Sequence, residues 1–197
     1  MQANNPVPAA GPLHPDRLAE QFGHELALRK FQHCPQCGHK RLQSNTENRL
    51  ACSHCGWRWY SNPACAAGAI ILNPAREMLL LRRSMEPARG QLSLPGGFVN
   101  QGESAEQAIL REIREETRLE CEPPTYLLSF PNFYRFDGMA YWVLDLFFVT
   151  HTAHPADARL SSESTELCWI QPARIDDNQI AFYSGKVALA EYLRQTG

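Results

Sequence analysis

Residues 104–119, SAEQAILREIREETRL, leave the chain little choice of local structure. Ser104 followed three positions later by Gln107 is a capping-box pattern, and Pro123 and Pro124 stop any continuation. The spacing therefore predicts a helix from Ser104 to about Leu119. With about 100° per residue and Glu112 as origin, Glu116 falls near roughly 40° and Glu115 near roughly −60°. On the same wheel Ala105 lies near about 20°, Ala108 near about −40°, Ile109 near about 60° and Ile113 near about 100°. Glu112 and Glu116 thus stand inside the apolar sector, while Gln107, Arg114 and Arg118 hold the opposite side. A solvated, salt-bridged helix would show the reverse arrangement. Carboxylates turned toward the protein body must be paired or hold a cation, and Arg111, near about −100°, neutralises only part of the charge. Clustered oxygen donors at Glu112, Glu115 and Glu116 suit a hard divalent ion, Mg²⁺ or Mn²⁺. Upstream, Leu94-Pro95-Gly96-Gly97 lets backbone approach a ligand closely, so a carbonyl of Gly96 or Gly97 can join such a shell. Glu103, just before the helix, can reach Arg111.

A second constraint comes from cysteine spacing. Cys34 and Cys37 are separated by two residues, as are Cys52 and Cys55, and a glycine (Gly38, Gly56) follows each pair. Two such knuckles facing each other present four thiolates in a tetrahedron, which suits Zn²⁺; a closed set of four leaves no open position and reads as structural. Unrelated free thiols or a redox pair are the alternatives. The remaining cysteines, Cys65, Cys121 and Cys168, lie in apolar or strand contexts and are expected to be buried thiols. Around the knuckles, Arg29, Lys30, Lys40, Arg41, Arg49 and Arg58 stand against Glu47 alone, beside Trp57, Trp59 and Tyr60. Such a patch suits a nucleic-acid contact; it equally describes a tiny module whose tryptophans form its core and whose basic residues keep it soluble. The second reading is preferred, and no nucleic-acid partner is expected.

The other elements fill out the chain. Strand signals run over 64–72 (ACAAGAIIL), 77–83 (EMLLLRR), 126–133 (YLLSFPNF), 139–150 (MAYWVLDLFFVT) and 166–170 (ELCWI), and a closing amphipathic helix over 184–195. Strands and helices mix without regular alternation, which points to α+β or a mixed-sheet sandwich. The expected organisation is a tail over 1–29, partly disordered or helical with Gly23 interrupting it, a zinc ribbon over 30–62, and a main domain over 63–197. A net charge of −2 with 20% charged residues implies neither a nucleic-acid sponge nor an acidic disordered chain. No apolar run of roughly 18 residues is present, so no membrane partner is expected. The N-terminus lacks a basic-then-apolar leader pattern, and a cytoplasmic location is expected.

With these residues in view, Gly97, Glu103, Arg111-Glu112, Ile113, Glu115-Glu116 and Leu119 resemble the Nudix box, GX5EX7REUXEEXGU, where U is aliphatic. Every position matches except the last glycine, which is Arg118 here. LPGGF before the box and ESTELCWI after it are also similar to the family, and the resemblance spans about Pro63 to Gly197. It implies an α/β/α sandwich with a mixed sheet, and metal-dependent hydrolysis of a nucleoside diphosphate linked to another moiety. On the matching positions it implies metal binding by Glu112, Glu115 and Glu116 with the Gly96 or Gly97 carbonyl, and pairing of Arg111 with Glu103. Glu163 and Glu166 are candidates for a general base outside the box. Arg82 and Arg83 are candidates for phosphate contact, and Phe133, Tyr134 and Tyr141 for stacking a base. A zinc ribbon ahead of such a domain resembles the NADH pyrophosphatases, which implies a homodimer. The Pro- and Trp-rich block of those members is replaced by LLSFPNFYRF, leaving NADH, ADP-ribose and related conjugates open. The alternative is a nucleotide-sensing regulator without turnover whose ribbon contacts nucleic acid. Loss of box glutamates would mark it, and none is lost.

Overall fold

The computed structural model describes residues 13–40, 42–46 and 48–197. Of the tail expected over 1–29, residues 1–12 lie outside the described residues, as do Arg41 and Glu47. A short helix α1 (Pro15–Phe22) ends at Gly23 and gives way to single 3-10 turns at Gly23–Glu25 and Ala27–Lys30, so Gly23 does interrupt the expected helix. Next comes a three-stranded antiparallel sheet in the order β1 (Leu42–Thr46), β2 (Arg49–Cys52), β3 (Arg58–Tyr60).

The larger sheet is built from β4 (Ala64–Leu72), β5 (Met78–Arg83), β6 (Leu92–Ser93), β7 (Gly96–Phe98), β8 (Thr125–Phe136), β9 (Met139–His151) and β10 (Ser164–Ile170). Its spine runs β10-β5-β4-β9-β8, with β6 on β5 and β7 on β4. β4 pairs parallel with β9 and the other pairings are antiparallel, so the sheet is mixed. The apolar run of β4 suits a strand covered on both faces. Ala67, Ala69 and Ile71 face helix α2 (Ala105–Thr117) through Ala108, Ile109 and Ile113. Ile70 and Leu72 face helix α3 (Tyr183–Thr196) through Leu189 and Tyr192. β8 and β9 form one long hairpin closed by Asp137-Gly138, both at positive φ (49° and 71°), the dipeptide that a tight hairpin turn favours. Pro131 lies within β8, where the missing N–H is tolerated because β8 is an edge strand.

Helix α2 begins as its residues dictate. Gln107 N donates to Ser104 Oγ (3.3 Å) and Ser104 N donates to Gln107 Oε1 (2.9 Å). One expectation fails: Cys65 is exposed and Cys121 and Cys168 are only half-buried. The burial of β4 sets in only from Ala67 onward, so Cys65 stands before the part of the strand that the helices cover.

Candidate functional site

The cysteine cluster is geometrically tight. Cys34 Sγ lies 3.7 Å from Cys55 Sγ and Cys37 Sγ lies 3.8 Å from Cys52 Sγ, with all four sulfurs within 4.8 Å of one another. A tetrahedron of Zn–S bonds of about 2.3 Å has edges of about 3.8 Å, so the donor set fits zinc. Both knuckles fold alike: Gly38 N donates to Cys34 O, Gly56 N to Cys52 O, and both glycines take positive φ (71° and 76°). Backbone N–H groups of Cys55 and His54 pull Cys52 down to about 7. Cys37, despite the backbone N–H of His39, is pushed up to about 12 by burial and its three sulfur neighbours. Four crowded sulfurs that compete for charge in this way are the expected chemistry of a set that deprotonates around a cation.

The second cluster lies where α2 meets β7, along a cleft of about 460 Å³. Gly96 and Gly97 pair with Gly68 and Ala67 of β4. Gly96 has φ 149°, and a Cβ there would drive into Ala67 O. A Cβ on Gly97 would sit 2.5 Å from Glu112 Oε1, so the glycine pair admits the Glu112 carboxylate to the strand. Gly96 N donates to Glu116 Oε2 at 2.8 Å. Burial, opposed by that hydrogen bond and reinforced by the charges of Glu112 and Glu163, pushes Glu116 up to about 8. Burial also raises Glu112, against the pull of Arg111.

Arg111 spends every donor of its guanidinium. Nε and Nη2 grip Glu103 (2.7 and 3.0 Å), Nη1 donates to Glu112 Oε1 (2.7 Å) and Glu115 Oε2 (3.0 Å), and Nη2 also reaches Phe98 O (3.0 Å). That grip, with the Asn100 N–H, holds Glu103 down at about 2. Glu112, Glu115 and Glu116 all line the cleft. They are less tightly drawn than the sulfurs: among the described residues, only the cysteine set brings three or more ligand atoms within 4.8 Å. Glu112 and Glu116, partly buried with a raised proton affinity, and the exposed Glu115 beside them, backed by one arginine, still form the donor chemistry of a hard divalent cation.

Outside the box, neighbouring residues part company. Glu163 lines the cleft, while Glu166 gives its carboxylate to Arg82 Nε at 2.6 Å and does not. Arg82, tied also to Gly90 O, is likewise absent from the cleft wall. Arg83 lines it, with its guanidinium 5.0 Å above the Phe182 ring. Tyr134 lines it, Phe133 is buried against Trp142, and Tyr141 stacks on Tyr134 from outside the cleft. For Arg82 against Arg83 and Phe133 against Tyr134 the physical reason is strand parity, since consecutive side chains point to opposite faces, whereas Tyr141 shares the face of Tyr134 and lies beyond the cleft wall. Sequence reasoning missed Asn132, Asp145, Ser184 and Phe182, all of which line the cleft. A lone aspartate in the apolar run WVLDLFF, in step with Val143 and Phe147, was the available signal.

Residues 63–190 match the NUDIX domain family. The chain belongs to the Nudix family. The NAD-capped RNA hydrolase NudC of Haemophilus influenzae is 35% identical over 118 residues, which is 57% of this chain and 44% of that protein. The chain therefore spans less than half the length of that relative. A NUDIX hydrolase from Nitrosomonas europaea superposes with TM-score 0.64 at 26% identity, covering 85% of this chain and 94% of its own. An Ap4A hydrolase from C. elegans superposes with TM-score 0.54 at 27% identity, covering 68% and 97% respectively. Among the described residues, no helix is long and apolar enough to cross a membrane.

Arg118, the departure from the Nudix box, caps α2 in the left-handed region (φ 62°, ψ 8°), with its N–H on Arg114 O. A non-glycine residue there costs about 1–2 kcal/mol. The side chain is exposed and lines no part of the cleft. Replacing Arg118 with Gly is expected to raise stability by no more than about 1 kcal/mol, offset by the freer unfolded chain, with activity within twofold of wild type. Thermal melts and steady-state rates check this; a large loss of activity would place Arg118 in the site.

Proposed function

We propose that this protein is a divalent-metal-dependent diphosphohydrolase that cleaves a nucleoside diphosphate linked to another moiety, in the class of NADH and ADP-ribose. The observation that carries the reading is the burial of Glu112 and Glu116 against Gly96-Gly97 at one end of the cleft. Carboxylates held this way carry a desolvation penalty, and a bound cation offsets it. Glu112, Glu115 and Glu116 would hold Mg²⁺ or Mn²⁺, with a carbonyl of Gly96 or Gly97 alongside. When bound, such an ion neutralises diphosphate oxygens and lowers the pKa of water. Arg111 and Glu103 fix the glutamate rotamers. Glu163, carboxylate free of the Arg82 pair that occupies Glu166, is positioned to take a proton from attacking water. Arg83 offers charge to phosphate, and Tyr134 with Phe182 offers an aromatic wall for a base. Cys34, Cys37, Cys52 and Cys55 would hold a structural Zn²⁺ in a ribbon over 30–62, ahead of a hydrolase domain over 63–197. A cytoplasmic homodimer belongs to the same reading.

The relatives support the substrate class, since one is named for NAD-capped RNA and another for Ap4A. The test is a panel of NADH, ADP-ribose, diadenosine polyphosphates, nucleotide sugars and nucleoside triphosphates with Mg²⁺ or Mn²⁺. Cleavage of a nucleotide conjugate that stops without divalent metal is the expected result. No phosphate-bond cleavage anywhere in the panel overturns the reading.

A further inference from the structure

Asp145 is the least expected residue in the cleft. It sits on β9 between Ala66 of β4 and Phe130 of β8, in the middle of the sheet, and is 9% exposed. Its neighbours Asn132 and Ser184 are 6% and 1% exposed. Both donate to the same carboxylate oxygen: Asn132 Nδ2 at 3.0 Å and Ser184 Oγ at 2.5 Å, each onto Oδ2. Among the described residues, no donor reaches Oδ1. One oxygen is enough to tie β8 and the first turn of α3 to the sheet. The second keeps some solvent exposure and so stays open to an incoming donor. Burial of the group raises the carboxyl's proton affinity. Asp145 lines the cleft that also holds Glu112 and Glu116, and so do Tyr134 and Phe182, whose rings lie 6.1 Å apart. An acceptor at the base of an aromatic-walled cleft has the character of a reader of a flat heterocycle bearing an N–H donor.

We propose that Asp145 determines base specificity, its Oδ1 accepting a hydrogen bond from an amino group on the substrate's heterocycle while Asn132 and Ser184 hold Oδ2. This rests on the diphosphohydrolase reading for its substrate. The two donors on Oδ2 dictate what Asp145→Asn must do. Its amide carbonyl has to replace Oδ2, which turns its NH₂ toward the cleft and converts an acceptor into a donor. The experiment compares kcat/KM for ADP-ribose and for the inosine analogue, in which a carbonyl replaces the amino group. Wild type is expected to favour the amino base by about tenfold or more, and Asp145→Asn to reverse the preference. A merely structural role for Asp145 cannot produce a reversal. An equal loss on both substrates, as reading of a sugar hydroxyl would give, or an unchanged ratio overturns the proposal. Calorimetric titration with AMP and IMP reads the same contrast without turnover, so failure of the hydrolase reading is distinguishable from failure of this one. Should the variant not fold, equal wild-type affinity for AMP and IMP overturns the proposal on its own, and tighter AMP binding sustains it.

Discussion

Glu116→Gln is expected to lower metal-dependent hydrolysis by about 10³-fold or more, a barrier increase of about 4 kcal/mol, while making the metal-free protein more stable near neutral pH. The two effects have one origin. Glu116 is pushed by burial from the ordinary 4.5 up to about 8, with the Gly96 N–H and the charge of Arg83 favouring its charged form. Between these values the folded chain keeps a proton that the unfolded chain has released. Stability contributed by this group is therefore fully present below about pH 4.5 and is lost as pH rises toward 8. Glutamine keeps an acceptor for the Gly96 N–H and cannot ionise, so the variant escapes that loss. In buffers free of Mg²⁺ and Mn²⁺, melting temperatures of wild type and variant should converge near pH 4.5 and separate toward pH 8, the variant higher. Adding Mg²⁺ should lift wild type and leave the variant nearly unmoved. Parallel melting curves across this range, or an activity loss under tenfold, would remove Glu116 from the centre of the site.

How much of this was legible beforehand depends on the range of the interactions. Helix α2 was readable because its determinants are local: a capping box three residues wide and carboxylates whose wheel positions fall among Ala108, Ile109 and Ile113. The ending at Arg118 is not readable in the same way, since a left-handed cap and a longer helix fit the same residues. The cysteine knuckles were readable for the same reason, as the chemistry repeats at fixed spacing. The second carboxylate site was not. Asp145 meets Asn132 across a hairpin and Ser184 across 39 residues of chain, and nothing local announces either partner. Arg82 and Arg83, or Phe133 and Tyr134, differ only by strand parity; which member faces the cleft follows from which face of β5 or β8 is covered. Glu166 opposes Arg82 only because of the β10–β5 register, shifted by an irregularity between Ser164 and Glu166. Register is a property of the assembled sheet.

Cys52→Ser is expected to remove the zinc and unfold the ribbon while the cleft keeps working. The strands of this module are 5, 4 and 3 residues long, and its buried centre is little more than Leu50, Cys34 and Cys52. A sheet of that size cannot offset its own ordering entropy, so the metal must supply the difference, with an apparent binding energy of about 10 kcal/mol or more at neutral pH. Cys52 is the sharpest place to cut, because it is buried, already holds the lowered thiol of the set, and receives backbone N–H bonds from Cys55 and His54 that a serine would leave facing a neutral hydroxyl. Among the described residues, none of those lining the cleft comes from the ribbon; that wall begins at Ala66. Metal analysis after reducing purification should therefore find one zinc per chain in wild type and under a tenth in the variant. Fluorescence of Trp59, which packs 5.4 Å from Phe31, should report the collapse of the module. Hydrolysis assayed below the variant's melting temperature should stay within severalfold of wild type. Less than half an equivalent of zinc in wild type would count against the ribbon as a metal site. Loss of hydrolysis in step with the zinc would instead mean that the ribbon shapes the cleft from a distance.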